Sequence, residues 1–508
     1  MQKLFSNFSR DFAASIVVFL VAIPLCLGIA IASGVPVVMG LISGIIGGIV
    51  VGSIAGSPLQ VTGPAAGLAV IVFGFVQEYG IALLGPVLVL AGLMQIAAGT
   101  LRLGSWFRLI SPAVVLGMLT GIGILIILGQ IHVLMGSVPA AHATENLAAM
   151  DDAVSQLWSS QVSVEAMALL VGLVSLLSIL IWDKTKPQSL ALVPGALIGV
   201  FVGTLLTAIM NLPIPRVEVP ASLFEGLTLP TAASFAELAA PGPLIAAAVI
   251  AVIASAETLL SASAVDRMHD GPRTRLNKEL IAQGVGNGLS GLLGGLPLTG
   301  VIVRSSANVQ AGAKTRVSAI LHGVWILALV ALIPSILGLV PLTALAAVLL
   351  VTGWKLIGLQ QIRDLLNRYG VLPLAIWGAT MTTVVLHDLL IGVAVGIAIS
   401  LVEVVPYIRR RFSVTCRQQD DGIELSLTGA VTCKDVPKLL EALEGLPDDQ
   451  AIRLNARRLR FVDHTSAETI TDWIRRQTKA GRRIEITPPR DAQPLLGRIV
   501  QQFTTAAV

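Results

Sequence analysis

Two ionisable side chains fall well inside apolar stretches of this sequence, Glu257 and Arg304. A charge at mid-membrane costs about 2.5–3.5 kcal/mol on insertion scales, so such residues pair with one another or face a watery cavity. A guanidinium can fork two hydrogen bonds onto an oxyanion. A carboxylate can take a proton or a cation, and Thr258 and Ser261 place hydroxyl oxygens next to this one. The chemistry on offer is capture of a small anion at Arg304 and of a proton or a cation at Glu257. The plainer alternative is a Glu257–Arg304 salt bridge that only fixes packing. Thr62 and Thr299 stand in matching stretches, Gln60-Val61-Thr62-Gly63-Pro64-Ala65-Ala66-Gly67 and Pro297-Leu298-Thr299-Gly300-Val301-Ile302-Val303-Arg304. Their hydroxyls either reach a bound anion or hold their own backbone turn. Asp266 reads as a cap or as a partner for loop arginines. His132, His269, His322 and His387 are isolated, without the spacing of a metal site, and no nucleophile-elbow pattern appears. The chain therefore reads as neither an enzyme nor a cofactor protein.

The elements that must position these groups follow from hydropathy. Of 508 residues, 55% are hydrophobic and 13% charged, with mean hydropathy +0.84, so the chain is a polytopic membrane protein. Its net charge of +4 is scattered, and aromatics are 5%, which is not a nucleic-acid signature. Each Thr-Gly stretch offers a few extended residues and then a short helix-compatible run, too short to cross a bilayer as one helix of roughly 20 residues. Non-helical backbone at membrane depth is tolerated only where protein buries it or where it lines a cavity. Two interrupted segments at corresponding places in two halves point to a binding site between them. Helix starts there would present free N–H donors and partial positive charge to a small anion.

Fourteen apolar segments are expected, at 12–33, 37–56, 59–77, 81–101, 113–134, 164–182, 190–210, 242–265, 279–293, 298–313, 316–334, 339–357, 371–386 and 389–405. Ile23-Pro24 is expected to break the first near mid-depth. Gly40, Gly44, Gly48, Gly52 and Gly56 recur every fourth residue along the second, a stripe that lets a neighbouring backbone come close. Gly284 and Gly288 repeat that face before the second Thr-Gly stretch, and Thr299 follows Thr62 by 237 residues, which argues duplication. Charge bias places Arg102/Arg108, Lys184/Lys186, Arg267/Arg273/Arg275/Lys278, Lys314/Arg316, Lys355/Arg363/Arg368 and Arg409–Arg411 on the cytoplasmic side. The opposite loops are acidic, so both termini are expected in the cytoplasm. With seven segments per half, the halves are inverted relative to each other.

Residues 412–508 hold 14 Lys and Arg and 13 Asp and Glu, the texture of a soluble domain after a membrane part of 1–408. Alternation predicts strands at 422–427, 451–454 and 483–486, helices at 436–443 and 494–503, and a strand running into a helix near 461–468. This is a small α/β domain. Thr465-Ser466-Ala467-Glu468 reads as a capping box, with a regulatory or phosphorylatable loop at Thr465 and Ser466 as the alternative. Cys26, Cys416 and Cys433 suit a reducing compartment, and the first apolar run reads as a span, not a cleaved signal.

These motifs resemble the sulfate permease (SulP, solute carrier 26-type) family of anion transporters. The likeness lies in Ala22-Ile23-Pro24-Leu25, Pro36 with Gly40-Leu41, Val61-Thr62-Gly63-Pro64, Ala256-Glu257-Thr258-Leu259-Leu260-Ser261, and Gly294-Gly295-Leu296-Pro297-Leu298-Thr299-Gly300 with Arg304-Ser305-Ser306-Ala307-Asn308. Phe461-Val462-Asp463-His464-Thr465-Ser466 looks like part of the STAS domain that follows their membrane part. The resemblance implies fourteen spans as a seven-plus-seven inverted repeat, with a core (spans one to four and eight to eleven) and a gate (five to seven and twelve to fourteen). It implies an anion held between spans three and ten at Thr62, Gly63, Pro64, Thr299, Gly300 and Arg304, and a coupling ion at Glu257 and Ser261. It further implies a homodimer in the bacterial inner membrane, with a possible partner protein for the STAS domain. Two departures stand out. Val303 replaces a serine common in the family, and Glu257 replaces the aspartate of sodium-coupled bicarbonate members. The wording Thr62-Gly63-Pro64-Ala65-Ala66-Gly67 is similar to a bacterial branch associated with carbonic anhydrases, which favours bicarbonate over sulfate or a dicarboxylate. A rival of another class is an anion channel.

Overall fold

In the computed structural model the described residues are 7–487, apart from 105–110, 141, 158–162, 191, 219–227, 267, 270, 388, 405–410, 420–421, 448–449 and 480. The chain forms two compact units, one of residues 1–107 with 122–356 and one of 108–121 with 357–508. The first unit opens with α1 (Phe8–Ala32), α2 (Val37–Ile46, prolonged by a π-helical turn at Gly47–Val51), the strand β1 (Thr62–Pro64), α3 (Ala69–Tyr79) and α4 (Leu84–Thr100). Helix α5 (Pro112–Leu134) is divided between the units at residue 122, and the short α6 (Ala143–Ala148) and α7 (Met150–Leu157) follow it and lead to α8 (Val164–Thr185) and α9 (Gly195–Ile209). Then come α10 (Ala232–Glu237), α11 (Pro241–Asp266), α12 (Leu276–Leu292), the strand β2 (Leu298–Gly300), α13 (Ile302–Gln310), α14 (Val317–Leu332) and α15 (Leu342–Ile357).

Each of the fourteen expected segments holds a helix, but among the described residues only seven stretches are long and apolar enough to cross a bilayer as one helix. These are Phe8–Ala32, Val37–Ile54, Ile81–Thr100, Pro112–Leu134, Val164–Thr185, Pro241–Asp266 and Leu342–Asn367. The others are shortened by strands, by prolines or by polar residues. Pro194 and Pro334 bound α9 and α14, which at 1.5 Å per residue reach about 22–24 Å against a hydrocarbon core of about 30 Å.

The break expected at Ile23-Pro24 does not occur, because α1 runs through with Pro24 inside it. Proline removes one N–H from the helical ladder. Here Ala22, Cys26 and Leu27 are clamped in an apolar cluster with Val37, Leu41 and Ile326, and that packing holds the helical course. The glycine stripe on α2 does bring backbones together. A Cβ on Gly40 would lie 2.2 Å from the Cys26 carbonyl oxygen, and one on Gly48 would lie 2.6 Å from Gly323 Cα. A matching contact joins α4 to α12, where a Cβ on Gly92 would lie 2.5 Å from the Gly284 carbonyl oxygen.

Three buried carboxylates staple loops to helices in this unit. Asp11 accepts from the Lys314 and Thr315 N–H groups at 2.7 and 3.0 Å and from the Thr315 hydroxyl at 2.6 Å. Glu279 accepts from the Gly56 and Ser57 N–H groups at 2.7 and 2.8 Å and from Gln283 at 3.0 Å. Asp266 accepts from the Thr274 hydroxyl at 2.9 Å, while Arg273 donates to its backbone carbonyl and not to its carboxylate.

The second unit carries α16 (Leu359–Tyr369), α17 (Val371–Leu386) and α18 (Leu389–Val404), then β3 (Phe412–Gln419), β4 (Gly422–Val431), α19 (Val436–Glu444), β5 (Ile452–Val462), α20 (His464–Lys479) and β6 (Ile484–Thr487). The sheet order is β3-β4-β5-β6, with β3 antiparallel to β4 and the other neighbours parallel. Leu439, Leu443, Ile470 and Trp473 from the two helices close one apolar cluster with Leu425, Leu427, Leu454 and Val462 of the sheet. Strand β3 was not among the expected elements, since few of its residues are apolar. β5 runs unbroken where two strands were expected, because a bulge opposite Ser426–Thr428 keeps it paired with β4. The capping box is also displaced. α20 begins at His464, and Asp463 accepts the Ser466 N–H at 2.8 Å, so Thr465 and Ser466 sit in the first helical turn and not in a loop. Ser466 is fully buried. The helix expected at 494–503 lies outside the described residues.

Candidate functional site

The two Thr-Gly stretches meet as an antiparallel pair, Thr62 opposite Gly300, Gly63 opposite Thr299 and Pro64 opposite Leu298. Flanking bonds extend the ladder, from the Ala65 N–H to the Pro297 carbonyl at 3.3 Å and from the Val301 N–H to the Val61 carbonyl at 2.9 Å. The chain leaves β1 through a 3₁₀ turn at Ala66–Leu68 into α3, and leaves β2 directly into α13. Both helices thus start beside one strand pair. Polar side chains satisfy the pair from below. Asn287 accepts the Leu298 N–H at 2.6 Å and donates to its carbonyl at 3.1 Å. The Thr258 hydroxyl accepts the Gly300 N–H at 3.0 Å, and the Ser305 hydroxyl accepts the Val61 N–H at 2.9 Å. Asn287 and Gln283 were not among the candidate residues. Their signal was legible all the same: primary amides within a segment read as membrane-embedded must find partners.

Side chains alternate across a strand, and here the alternation sorts the candidates. Gly63 and Thr299 share one face. A Cβ on Gly63 would lie 2.0 Å from Arg304 Nη1, and one on Gly67 would lie 3.0 Å from Glu257 Oε2. The Thr299 hydroxyl lies near that same carboxylate. Arg304 Nε and Nη1 are buried without a hydrogen-bond partner among the described residues, and Thr299 Oγ1 and Glu257 Oε2 have none there but one another. Arg304 Nη2 donates to Cys26 Sγ at 3.4 Å. No ion pair joins Glu257 to Arg304 among the described residues, so the plain salt-bridge reading does not hold. Ser261 lies one turn beyond Glu257 on α11 and is buried. Thr62 and Gly300 share the opposite face. Gln283 donates to the Thr62 hydroxyl at 2.8 Å, and a Cβ on Gly300 would strike Gln60 Nε2 at 1.8 Å. Thr299 therefore stands with the charged pair, whereas Thr62 braces the strand.

A cavity of about 210 Å³ opens beside α1, α8, α9, α13 and α15. On α13 the residues Val303, Ser306, Ala307 and Gln310 face it, at helical spacing, while Arg304, Ser305 and Asn308 are buried on the other side of the helix. Arg304 thus stands behind the cavity wall. Its guanidinium does not line this cavity. Gly63→Ala is expected to push the guanidinium out of register at unchanged net charge.

A helical membrane protein with two short helices starting at a buried strand pair is the class these features define, an architecture met among membrane transporters. The chain belongs to the Sulfate permease family, whose model matches residues 8–380. It is 30% identical over 501 residues to YvdB of Bacillus subtilis (strain 168), named as a candidate sulfate transporter, covering 93% of this chain and 90% of that one. It is 25% identical to the bicarbonate transporter BicA of Picosynechococcus sp., over 84% of this chain and 75% of BicA. Among solved structures, the transmembrane domain of a cyanobacterial BicA superposes with TM-score 0.65 at 24% identity, covering 77% of this chain and 98% of that domain. SLC26A9 superposes with TM-score 0.66 at 15% identity, over 99% of this chain and 88% of its own. These relatives and neighbours are transporters and not enzymes, and this chain is a multi-pass membrane protein of an anion-transporter family.

Proposed function

We propose that this chain is a secondary active transporter that carries bicarbonate across the bacterial cytoplasmic membrane by alternating access, with a co-transported sodium ion or proton on Glu257. The observation that carries the reading is the strand pair with two buried ionisable groups that do not pair with each other: Arg304 beside Gly63 with two free donors, and Glu257 beside Gly67 and Thr299. An anion entering there meets the field of Arg304 and two helix starts. Thr299, Gly300 and Arg304 would form the anion side, and Glu257 with Ser261 the coupling side. Thr62, Gly63 and Pro64 would hold the facing strand.

The wider architecture belongs to the same proposal. Fourteen segments would form two inverted sets of seven, and reciprocal packing supports this: α1 lies on α14 as α11 lies on α4, and α2 lies on α14 as α12 lies on α4. The first four and eighth to eleventh segments would form the moving core, and the rest the gate. Residues 412–508 would be a cytoplasmic STAS domain that contributes to a homodimer and receives any partner protein. Both termini would be cytoplasmic.

Labelled bicarbonate, sulfate and dicarboxylate uptake into proteoliposomes, with sodium and proton gradients imposed separately, tests the substrate and the coupling. Saturable bicarbonate uptake driven by one gradient is the expected result. Sulfate uptake alone would give the substrate to the relative named for sulfate, and conductance without saturation or gradient dependence would make the protein a channel. Glu257→Gln keeps the side-chain shape and removes the titrating charge. It should retain exchange of labelled for unlabelled anion yet lose gradient-driven accumulation, and accumulation at the unaltered level would remove Glu257 from coupling.

A further inference from the structure

Away from the strand pair, the charged residues that line the cavity are Asp183 and Lys186 at the end of α8 and Lys355 at the end of α15. Lys355 Nζ donates to Asp183 Oδ2 at 3.2 Å, with the lysine side chain 58% and the aspartate 32% exposed. The other carboxylate oxygen lies against the start of α9, where a Cβ on Gly195 would stand 2.6 Å from Oδ1. Lys186 is exposed and has no ion pair among the described residues. The rest of the lining is mostly aliphatic, with Val17, Val21, Leu25, Val348 and Val351 beside the neutral polar side chains of Ser306, Gln310 and Thr352. Two cations and one anion therefore stand at a rim above low-dielectric walls, an arrangement that focuses positive potential into the opening.

A small oxyanion passing inward must shed water against valine side chains that offer it no hydrogen bond. The cationic donors it meets along the described lining are the two ammonium groups. One of them already holds a carboxylate, whose O–C–O fork is the same group that bicarbonate presents. We propose that Lys186, Lys355 and Asp183 form a separate, low-affinity loading site for a small oxyanion, in which Asp183 is a tethered competitor that the arriving anion displaces from Lys355. The site rests on the anion-transport reading above, but it is distinct from the strand pair in residues and in depth. Anions would pass from an exposed, exchangeable station at the rim to the enclosed one behind Leu25 and Val303.

Opposite shifts from the two partners of the ion pair test it. The assay is initial uptake of labelled bicarbonate and, in parallel, labelled sulfate, by inside-out membrane vesicles whose outer medium meets the face assigned to the cytoplasm. At low ionic strength, Lys355→Gln should raise KM about threefold to fivefold and Asp183→Asn should lower it by a similar factor, the range for exposed ion pairs. Vmax should stay in place, and Lys355→Arg should remain within about twofold of the unaltered protein. Both shifts should fade as salt shortens the Debye length from about 30 Å at 0.01 M to about 3 Å at 1 M. KM moving the same way in both variants, a shift that survives high salt, or a change confined to Vmax would each overturn the loading site. Arg304→Met in the same vesicles keeps the two readings apart. Normal uptake by that variant would sink the central site, whereas lost uptake beside unshifted rim variants would sink the rim alone.

Discussion

Replacing Arg304 by methionine is expected to reduce anion uptake roughly 100-fold or more, the scale of removing a buried charge from a charged partner, while the protein still folds. Two features of the structure lead to this expectation. The guanidinium is fully buried and its Nε and Nη1 donors have no partner among the described residues, so no carboxylate is orphaned when it goes. Removing an uncompensated buried charge does not weaken a fold the way breaking a buried pair does. Methionine also fills most of the vacated volume, which limits the cavity cost. Arg304→Lys separates two ways of acting. If the residue works through its field, behind the wall formed by Val303 and Ser306, lysine keeps the charge and should retain uptake within about tenfold of the original. If it works by a two-pronged contact, lysine should fail almost as badly as methionine. Uptake kinetics in proteoliposomes, alongside gel-filtration profiles, read both results. Undiminished uptake by Arg304→Met would refute the assignment of the anion site.

The largest expected stability effect falls on a residue outside the site. Glu279→Ala should lower the apparent Tm of the detergent-solubilised protein by several degrees and the yield of folded material with it. The carboxylate is fully buried and takes three hydrogen bonds, two from backbone N–H groups of the 56–57 turn and one from Gln283. Alanine leaves all three donors unsatisfied inside protein, at about 1–3 kcal/mol for each group. Gln283 also donates to the Thr62 hydroxyl, so the disturbance would reach the strand pair, and KM should rise in whatever fraction still folds. Glu279→Gln keeps an acceptor at the same place and should lose less than half as much stability. An alanine variant as stable as the original would mean that water satisfies the 56–57 turn, and that the staple contributes little.

Much of the site can be read from the residue string. The Thr-Gly stretches, Glu257, Arg304 and the glycine stripe of α2 announce themselves because each breaks a rule that lipid enforces: extended backbone, charge or missing side chains within apolar sequence. The boundaries of the C-terminal strands and the start of α20 were less legible. Alternation locates a strand's buried face but not its ends, and Asp463 and Thr465 both make acceptable caps until the helix shows which of them it uses. Pro24 marks the limit of local reasoning from the other side. Its ring does delete a hydrogen bond, yet the cluster around Ala22, Cys26 and Leu27 outweighs that loss.

Composition and spacing alone mark a helical membrane protein with two matching interrupted segments, and single out Glu257 and Arg304 as charges set within apolar sequence. Those are consequences of solvation, which each stretch of chain meets on its own terms. Only the folded molecule decides that Thr299 stands with Arg304 and Glu257 while Thr62 faces Gln283, and that Arg304 lies behind the cavity wall. Only there does Lys355 meet Asp183, 172 residues away in the chain. Which side of a strand or helix a residue presents, and to which distant partner, depends on packing between segments far apart in sequence, and no local pattern of residue types encodes it.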